Sequence, residues 1–254
     1  MKRRKAGIGI FVIVLIITAV RVKSMDSHRI SGRILAENIA GPGMLRLVEQ
    51  SMQARARKTS VTEIAVKERK HPQAALTFDD GPDIRYTPLL LDGLKERNVR
   101  VSFFLLGEKV EQYPELVERM QKEGHLVGNH TYHHIQLNKL NETKAREEIL
   151  KTNNLIYETT GVYPLYLRPP FGAWKKNLEL CVEMLPVFWT IDTLDWKVQN
   201  TEKIVRTVQE QIEDGAIILM HDEYDTSVEA ALQVVDELKN QEYELVTVDQ
   251  LILP

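Results

Sequence analysis

The stretch "AALTFDDGP", residues 74–82, joins an apolar run to two adjacent aspartates and a Gly-Pro turn. A short apolar run that ends at turn-forming residues is typical of a buried strand. Asp79 and Asp80 therefore fall at the carboxyl end of that strand, where successive side chains point in different directions. The pair can divide two tasks, one residue on a metal ion and one as a base. The simpler alternative is an ordinary Asp-Gly-Pro turn.

The pattern of this strand recurs from residue 73 to the end of the chain. Predicted strands cover residues 74–78, 101–106, 126–128, 165–167, 187–190, 216–220 and 245–248. Predicted helices cover residues 87–98, 113–124, 141–161, 175–185, 201–215 and 227–241. Strands that alternate with helices form parallel sheets, because parallel neighbours need crossover connections. The sequence predicts an α/β fold with about seven parallel strands in a closed or nearly closed barrel, and an open doubly wound sheet is the alternative.

Polar clusters follow five of the predicted strands, each directly past the carboxyl end. They are "DDGPD", "NHTYHH", "RPPFG", "DTLDW" and "HDEYD". In a parallel barrel these ends form one rim, which is the rim where active sites are built. Connections that lead from a helix back to a strand contain mainly ordinary turn residues, such as Glu123-Gly124 and Asp214-Gly215. This one-sided distribution predicts an active site at the rim.

Three of the seven histidines lie within the stretch "GNHTYHH", residues 128–134. His130 and His134 are four positions apart, so a helix there would place both imidazoles on one face, where they can share one ion. His133 would point elsewhere. Two histidines and one carboxylate leave a coordination position open for water, as in a catalytic zinc site. A structural zinc site would be closed by four ligands, usually rich in cysteine, and this chain has one cysteine.

The remaining clusters supply an arginine, a carboxylate and a histidine. Arg168 precedes two prolines that stiffen its loop, and an arginine beside a carboxylate keeps the carboxylate ionised. His221 ends a strongly apolar strand, and pairing with a carboxylate would raise its pKa and make it a general acid. Leu219 and Trp196 would form apolar walls of a pocket, although either residue could belong to the core.

Taken in order, "TFDDGP", "HTYHH", "RPPFG", "DTLDW" and "ILMH" resemble the five motifs of the polysaccharide deacetylase family. Members of this family are also known as NodB-homology enzymes or carbohydrate esterase family 4. The resemblance covers roughly residues 73–250. It implies a distorted (β/α) barrel and an enzyme that removes N-acetyl groups from amino sugars, or O-acetyl groups from some glycans.

The resemblance also implies a role for each motif residue. Asp80, His130 and His134 would bind one divalent metal ion, commonly zinc, with cobalt, nickel or manganese as alternatives. Asp79 would be the general base and His221 the general acid. Arg168 would orient Asp79, and Asp195 would tune His221. The substrate pocket would be bordered by Phe171, Gly172, Trp196 and Leu219, and the backbone N–H near Phe171 would stabilise an oxyanion.

The N-terminal part of the chain is predicted to be a membrane segment and a stalk. Basic residues precede an uncharged run from Ala6 to Val20, and Arg21 and Lys23 follow it without a clear cleavage site. We therefore favour an uncleaved signal anchor over residues 1–23, with a cleaved signal peptide as the alternative. Residues 24–70 are predicted to be a basic stalk, and residues 71–254 the deacetylase domain. The main domain is then exported, either anchored to the cell membrane or secreted.

The net charge and the predicted location of the main domain limit the classes of partner that we expect for it. Residues 1–70 contain 15 Lys and Arg against 5 Asp and Glu, which leaves a net charge of −13 for residues 71–254. We therefore expect no nucleic-acid partner for the main domain, and we expect it to act as a monomer. The family resemblance and the predicted location near the membrane together favour bacterial peptidoglycan as the substrate, with chitooligosaccharides as the alternative. The competing classes are a non-catalytic glycan-binding module and, less favoured, a metal-dependent phosphoesterase or a structural envelope protein.

Overall fold

The structure is a computed structural model that describes residues 70–174 and 184–252. The predicted membrane segment (residues 1–23), nearly all of the predicted stalk (24–70) and most of the predicted helix 175–185, which contains Cys181, lie outside these residues. Within the described ranges, none of the helices is long and apolar enough to cross a membrane.

Eight strands form the sheet, and most follow the apolar runs of the sequence. Their bounds are β1 Gln73–Asp79, β2 Ser102–Leu105, β3 Leu126–Asn129, β4 Tyr166–Leu167, β5 Leu185–Pro186, β6 Ile191–Asp192, β7 Ala216–His221 and β8 Glu244–Leu245. The run 187–190 was predicted as one strand, and this prediction is wrong. It connects the two-residue strands β5 and β6, and Leu185, predicted to end a helix, begins β5.

The helices among the described residues begin and end close to the polar and glycine signals of the sequence. Their bounds are α1 Tyr86–Glu96, α2 Gly107–Gln112, α3 Pro114–Lys122, α4 Glu142–Thr160, α5 Asp195–Val198, α6 Thr201–Gln211, α7 Asp225–Asn240 and α8 Val248–Ile252. For α4, the Asn141 side chain accepts a hydrogen bond from the Lys144 N–H, and Gly161 ends the helix at φ 72°. The short helices α2, α5 and α8 were not predicted, because they have too few residues for a periodic pattern.

All strand pairs in the sheet are parallel, which confirms the predicted α/β architecture. The strand order is β5-β4-β3-β2-β1-β7-β6, and β8 pairs with the start of β1. Among the described residues no pairing joins β5 to β6. The seven strands of this order therefore form a curled, incompletely closed barrel, which is consistent with the predicted distorted (β/α) barrel.

The central strand β1 is buried on both faces, as expected of a parallel sheet covered by helices. Leu76 and Phe78 lie in the main core cluster with side chains of α1 and α7. Ala75 lies in a smaller cluster with Phe104 and Val248. Because side chains alternate along a strand, Asp79 shares the face of Ala75. The same packing that anchors β1 therefore positions the end of the strand for the site described next.

Candidate active site

The polar clusters that follow β1, β3, β4, β6 and β7 meet at one rim of the sheet. Strand register explains part of this convergence. Asp79 lies opposite His221 in the β1–β7 pair, and Asp192 lies opposite Leu219 in the β6–β7 pair. On the other side of β1, Asn129 at the end of β3 lies opposite Leu167, which directly precedes Arg168. Parallel pairing therefore brings together motifs that are far apart in the sequence.

Three residues of the rim form a candidate metal centre. The Asp80 Oδ1 atom lies 3.4 Å from His130 Nε2 and 3.5 Å from His134 Nε2. The candidate ligand atoms of the three residues all lie within 4.8 Å of one another. Asp80 Oδ1 is buried and has no hydrogen-bond partner among the described residues. A buried carboxylate oxygen without a partner is costly, and a divalent cation at this position would satisfy it together with the two imidazoles.

The two histidines converge through an irregular loop, so the helix that would have placed both imidazoles on one face does not form. His130 follows β3, and the chain enters no helix before the short 3₁₀ turn at Leu137–Lys139. Thr131 and His134 have left-handed backbone conformations, with φ of 68° and 55°. These two left-handed residues bend the loop so that both imidazoles reach Asp80. His133 points away from the centre and lies 2.8 Å from Glu148 through its Nδ1 atom.

The environment of His130 prepares its Nε2 atom for a metal ion. Its Nδ1 atom lies 2.7 Å from the Arg168 carbonyl oxygen, so Nδ1–H donates and the Nε2 lone pair faces Asp80. Burial lowers the pKa of His130 to about 3, because the buried imidazolium loses its hydration. The imidazole is therefore neutral at physiological pH, which is the form that binds metals.

Asp79 forms a fully buried ion pair with Arg168. The Arg168 guanidinium is completely buried, and its NH1 group donates to Asp79 Oδ1 and to Thr77 Oγ1, each at 2.7 Å. The guanidinium also lies over the Phe104 ring, 4.2 Å from its centroid. Burial raises the pKa of Asp79, while the Arg168 charge opposes that shift. The result is an oriented carboxylate in a poorly solvated position, as a general base requires.

His221 and Asp195 form a second paired unit on the other side of Asp80. His221 Nδ1 lies 2.8 Å from Asp195 Oδ1, and the His221 backbone N–H donates to Asp195 Oδ2, also at 2.8 Å. Burial opposes protonation of His221, but the hydrogen bond and charge of Asp195 outweigh burial and raise the pKa to about 9. His221 Nε2 lies 3.8 Å from Asp80 Oδ2. A protonated imidazole thus faces the candidate metal centre and can act as an acid.

The residues predicted to border a pocket differ in their exposure. Phe171 is 62% exposed at φ 59°, and its ring lies 4.5 Å from the His134 ring. Gly172 packs against Trp189, where a Cβ atom would lie 3.3 Å from the indole. Trp196 is half-exposed, whereas Leu219 is buried on β7 and shares the strand face of His221. Of the four residues, Phe171 contacts a candidate metal ligand, and the pocket roles of all four stay predictions.

Two acidic residues near the rim, Glu148 and Asp222, were given no role in the sequence analysis. Glu148 on α4 accepts hydrogen bonds from the backbone of the histidine loop, and no motif marks it among the other charged residues of its amphipathic helix. Asp222 directly follows His221 and is completely buried, which raises its pKa to about 7. Thr87 Oγ1 donates to Asp222 Oδ2, and a Cβ atom at Gly81 would lie 2.5 Å from Asp222 Oδ1. Asp222 belongs to the "HDEYD" cluster of the sequence, but the composition of that cluster cannot show that Asp222 is buried.

Comparisons with known proteins agree with this geometry. Residues 66–187 match the sequence model of the polysaccharide deacetylase family. A peptidoglycan-N-acetylglucosamine deacetylase of Bacillus cereus is 39% identical over 186 residues, covering 70% of this chain and 68% of the relative. The Listeria monocytogenes peptidoglycan-N-acetylglucosamine deacetylase PgdA is 41% identical over 185 residues. That match covers 73% of this chain and 40% of PgdA, so this chain spans about two fifths of the relative's length.

A solved structure of the peptidoglycan deacetylase PdaC from Bacillus subtilis has a similar fold. It is 41% identical, with a TM-score of 0.70, and the match covers 72% of this chain and 91% of that one.

Proposed function

The chain belongs to the polysaccharide deacetylase family, and from that membership we propose that it is a hydrolase that removes N-acetyl groups from the amino sugars of bacterial peptidoglycan. One observation carries the proposal. An oriented carboxylate (Asp79), a candidate metal centre and a protonated histidine (His221) lie next to one another at one rim. Amide hydrolysis needs a base for water, charge stabilisation at the carbonyl and an acid for the amine.

Asp80, His130 and His134 would hold the metal ion, and we propose zinc. Two imidazoles and one carboxylate make a three-ligand set that suits a catalytic zinc site, while cobalt, nickel and manganese also accept such ligands. When bound, the ion supplies Lewis acidity and lowers the pKa of a bound water. The buried, unpartnered oxygen of Asp80 supports the assignment.

The chain's own residues account for the proton transfers. Asp79 Oδ2 lies 3.6 Å from His130 Nε2, so its free oxygen faces the metal centre while Oδ1 is held by Arg168. Asp79 would take the proton of the attacking water. The backbone N–H of Phe171 is the proposed donor to the developing oxyanion. His221, kept protonated by Asp195, would give its proton to the leaving amine, because an amide anion is a poor leaving group.

The test is acetate release from defined substrates by the purified full-length protein loaded with zinc. Peptidoglycan sacculi and chitin oligomers are incubated separately, and mass spectrometry locates the free amines. We expect acetate and free amines from peptidoglycan, and release about 10²- to 10⁴-fold slower with the His221→Ala variant. Free amines on N-acetylglucosamine or on N-acetylmuramic acid assign the sugar. Release only from chitin oligomers would overturn the peptidoglycan assignment and leave the chemistry intact.

A non-catalytic glycan-binding protein is the second candidate. It would bind peptidoglycan sacculi in a sedimentation assay and release no acetate. The presence of the base, the three candidate ligands and the acid favours an enzyme, because a binding protein has no need of the buried Asp79–Arg168 and Asp195–His221 pairs.

We also propose that the protein is a cell-membrane protein anchored by residues 1–23, with its catalytic domain outside the cytoplasm and acting as a monomer. The uncharged run Ala6–Val20 between basic residues supports the anchor. Membrane fractionation and N-terminal sequencing of the mature protein test this proposal. Recovery in the culture medium with a new N-terminus would show a cleaved signal peptide. Light scattering measures the molar mass of the protein and so tests whether it is a monomer. The measurement uses the detergent-free fraction, or the purified protein after the contribution of the detergent has been subtracted.

A further inference from the structure

We propose that Glu148 is a positioning residue for the metal centre, and that His133 belongs to its hydrogen-bond network and not to the ligand set. Glu148 holds the backbone between the two histidine ligands in the one shape that directs both imidazoles at Asp80. The inference rests on the metal site of the proposed function, and it assigns to a residue outside the five motifs the task of fixing that site.

The Glu148 carboxylate makes three contacts with the loop. Its Oε2 atom accepts from the Tyr132 N–H at 3.1 Å and from the His133 N–H at 2.9 Å. Its Oε1 atom lies 2.8 Å from His133 Nδ1. The Glu148 side chain is only 13% exposed, so water does not compete well for these bonds. A carboxylate suits this position because it offers two acceptor oxygens and carries the charge that strengthens each bond.

The opposite edge of the loop is held by α2. The N–H groups of Gly107 and Glu108 donate to the carbonyls of Thr131 and Tyr132, at 2.9 and 3.2 Å. Gly107 permits this close approach, since a Cβ atom there would lie 2.4 Å from Tyr132 Cδ2. The loop therefore lies between the start of α2 and the side chain of Glu148.

This support is needed because no helix sets the spacing of the two ligands. Thr131 and His134 adopt left-handed conformations that non-glycine residues rarely keep unless the surroundings enforce them. The Thr131 N–H is held by Asn129 Oδ1 at 2.7 Å. The next two N–H groups donate to Glu148, so its removal leaves them without acceptors directly before His134 and leaves α2 as the remaining backbone support of the loop.

The test is the zinc affinity of the full-length protein, measured without substrate by competition with a chromophoric chelator. Glu148→Ala should raise the zinc Kd about 10- to 100-fold, as is usual when a residue that orients metal ligands is lost. Glu148→Gln keeps an acceptor oxygen for the backbone N–H groups and should recover most of the affinity. Glu147→Ala changes the exposed neighbour on the same helix and should leave the Kd unchanged.

The outcomes separate positioning from general stability. A Kd for Glu148→Ala within twofold of wild type would overturn the proposal, even if the melting temperature of the metal-free protein fell. If Glu148→Ala does not fold, His133→Ala decides, because it removes one contact from an exposed side chain. We expect it to keep one zinc per chain with a severalfold weaker Kd. If His133→Ala no longer binds one zinc ion per chain, His133 is a ligand. If its zinc Kd is unchanged, the hydrogen bond between His133 and Glu148 has no role in metal binding. Either result overturns the proposal.

Failure of the proposed function gives a different result. If the wild-type protein binds no zinc, cobalt, nickel or manganese, the metal site itself is wrong. If it binds metal and releases no acetate, the activity is wrong while the Glu148 comparison can still be made.

Discussion

The active-site rim has two halves that are built differently. The ion-pair half, Asp79–Arg168 and Asp195–His221, is buried, and each acidic side chain already has its partner. The metal half, Asp80, His130 and His134, follows left-handed turns and keeps a buried oxygen without a partner among the described residues. Each carboxylate of the ion-pair half is therefore hydrogen-bonded within the chain, whereas Asp80 Oδ1 would gain a partner only with a cation. Changes in one half should therefore be separable from changes in the other.

The largest expected effect is loss of activity when the ion-pair half loses a proton-transfer group. Asp79→Asn and His221→Ala should each lower kcat by about 10²- to 10⁴-fold, the usual contribution of general acid–base catalysis. Both variants should still bind one metal ion per chain, measured by atomic absorption. Asp249→Asn in α8, away from the rim clusters, should keep wild-type turnover. Near-normal kcat in either rim variant would refute the role of that residue.

The next effect concerns stability. Arg168→Ala leaves the Asp79 carboxylate buried without a partner, so we expect the free energy of unfolding in urea to fall by about 3–5 kcal/mol. The matched control is Arg97→Ala, which breaks the partly exposed pair with Asp236 at 2.8 Å and should cost no more than about 1 kcal/mol. Equal losses in the two variants would contradict the buried-pair interpretation.

Removal of the cation should affect the metal half alone. A chelator should lower the melting temperature, because an ion that binds only the folded state stabilises it by about 2.7 kcal/mol at 100 times its Kd. His134→Ala should remove most of this chelator-dependent shift, and His71→Ala, at an exposed position, should retain it. A shift of the same size in His134→Ala would place the ion elsewhere. Differential scanning fluorimetry with and without added zinc measures the effect.

The smallest expected effect is a change in pH dependence. Because the pKa of His221 is about 9, kcat/KM should fall as the pH rises through about 9, when the acid loses its proton. The raised pKa also contributes stability that is present below about pH 6.5, the ordinary histidine value, and is lost as the pH rises through about 9. Asp195→Asn removes the charge that raises this pKa, so the alkaline limb should move to lower pH. An unmoved limb would assign it to another group.

Only part of the fold and of the candidate site could be predicted from the sequence. Apolar runs located β1, β2, β3 and β7, and the rule that parallel strands share one rim brought the motifs together. Two-residue strands such as β5 and β6 are too short to show a period, so the run 187–190 was assigned to one strand. The backbone path that brings His130 and His134 together could not be predicted, because a spacing of four residues cannot distinguish a helix from a loop bent by left-handed residues. Glu148 and Asp222 act through tertiary contacts, which no local pattern records.

The position of β1 also bears on the order in which the sheet can form. One neighbour, β2, is the next strand along the chain, but the other, β7, comes late, since the Thr77 hydroxyl donates to the Ile218 carbonyl, 141 positions downstream. A chain of which only the earlier part is available for folding therefore exposes one edge of its central strand. The strand that closes this edge also carries His221 at its end. Completion of the core and arrival of the acid are thus one event, and proteases that degrade incompletely folded chains would also remove the inactive ones.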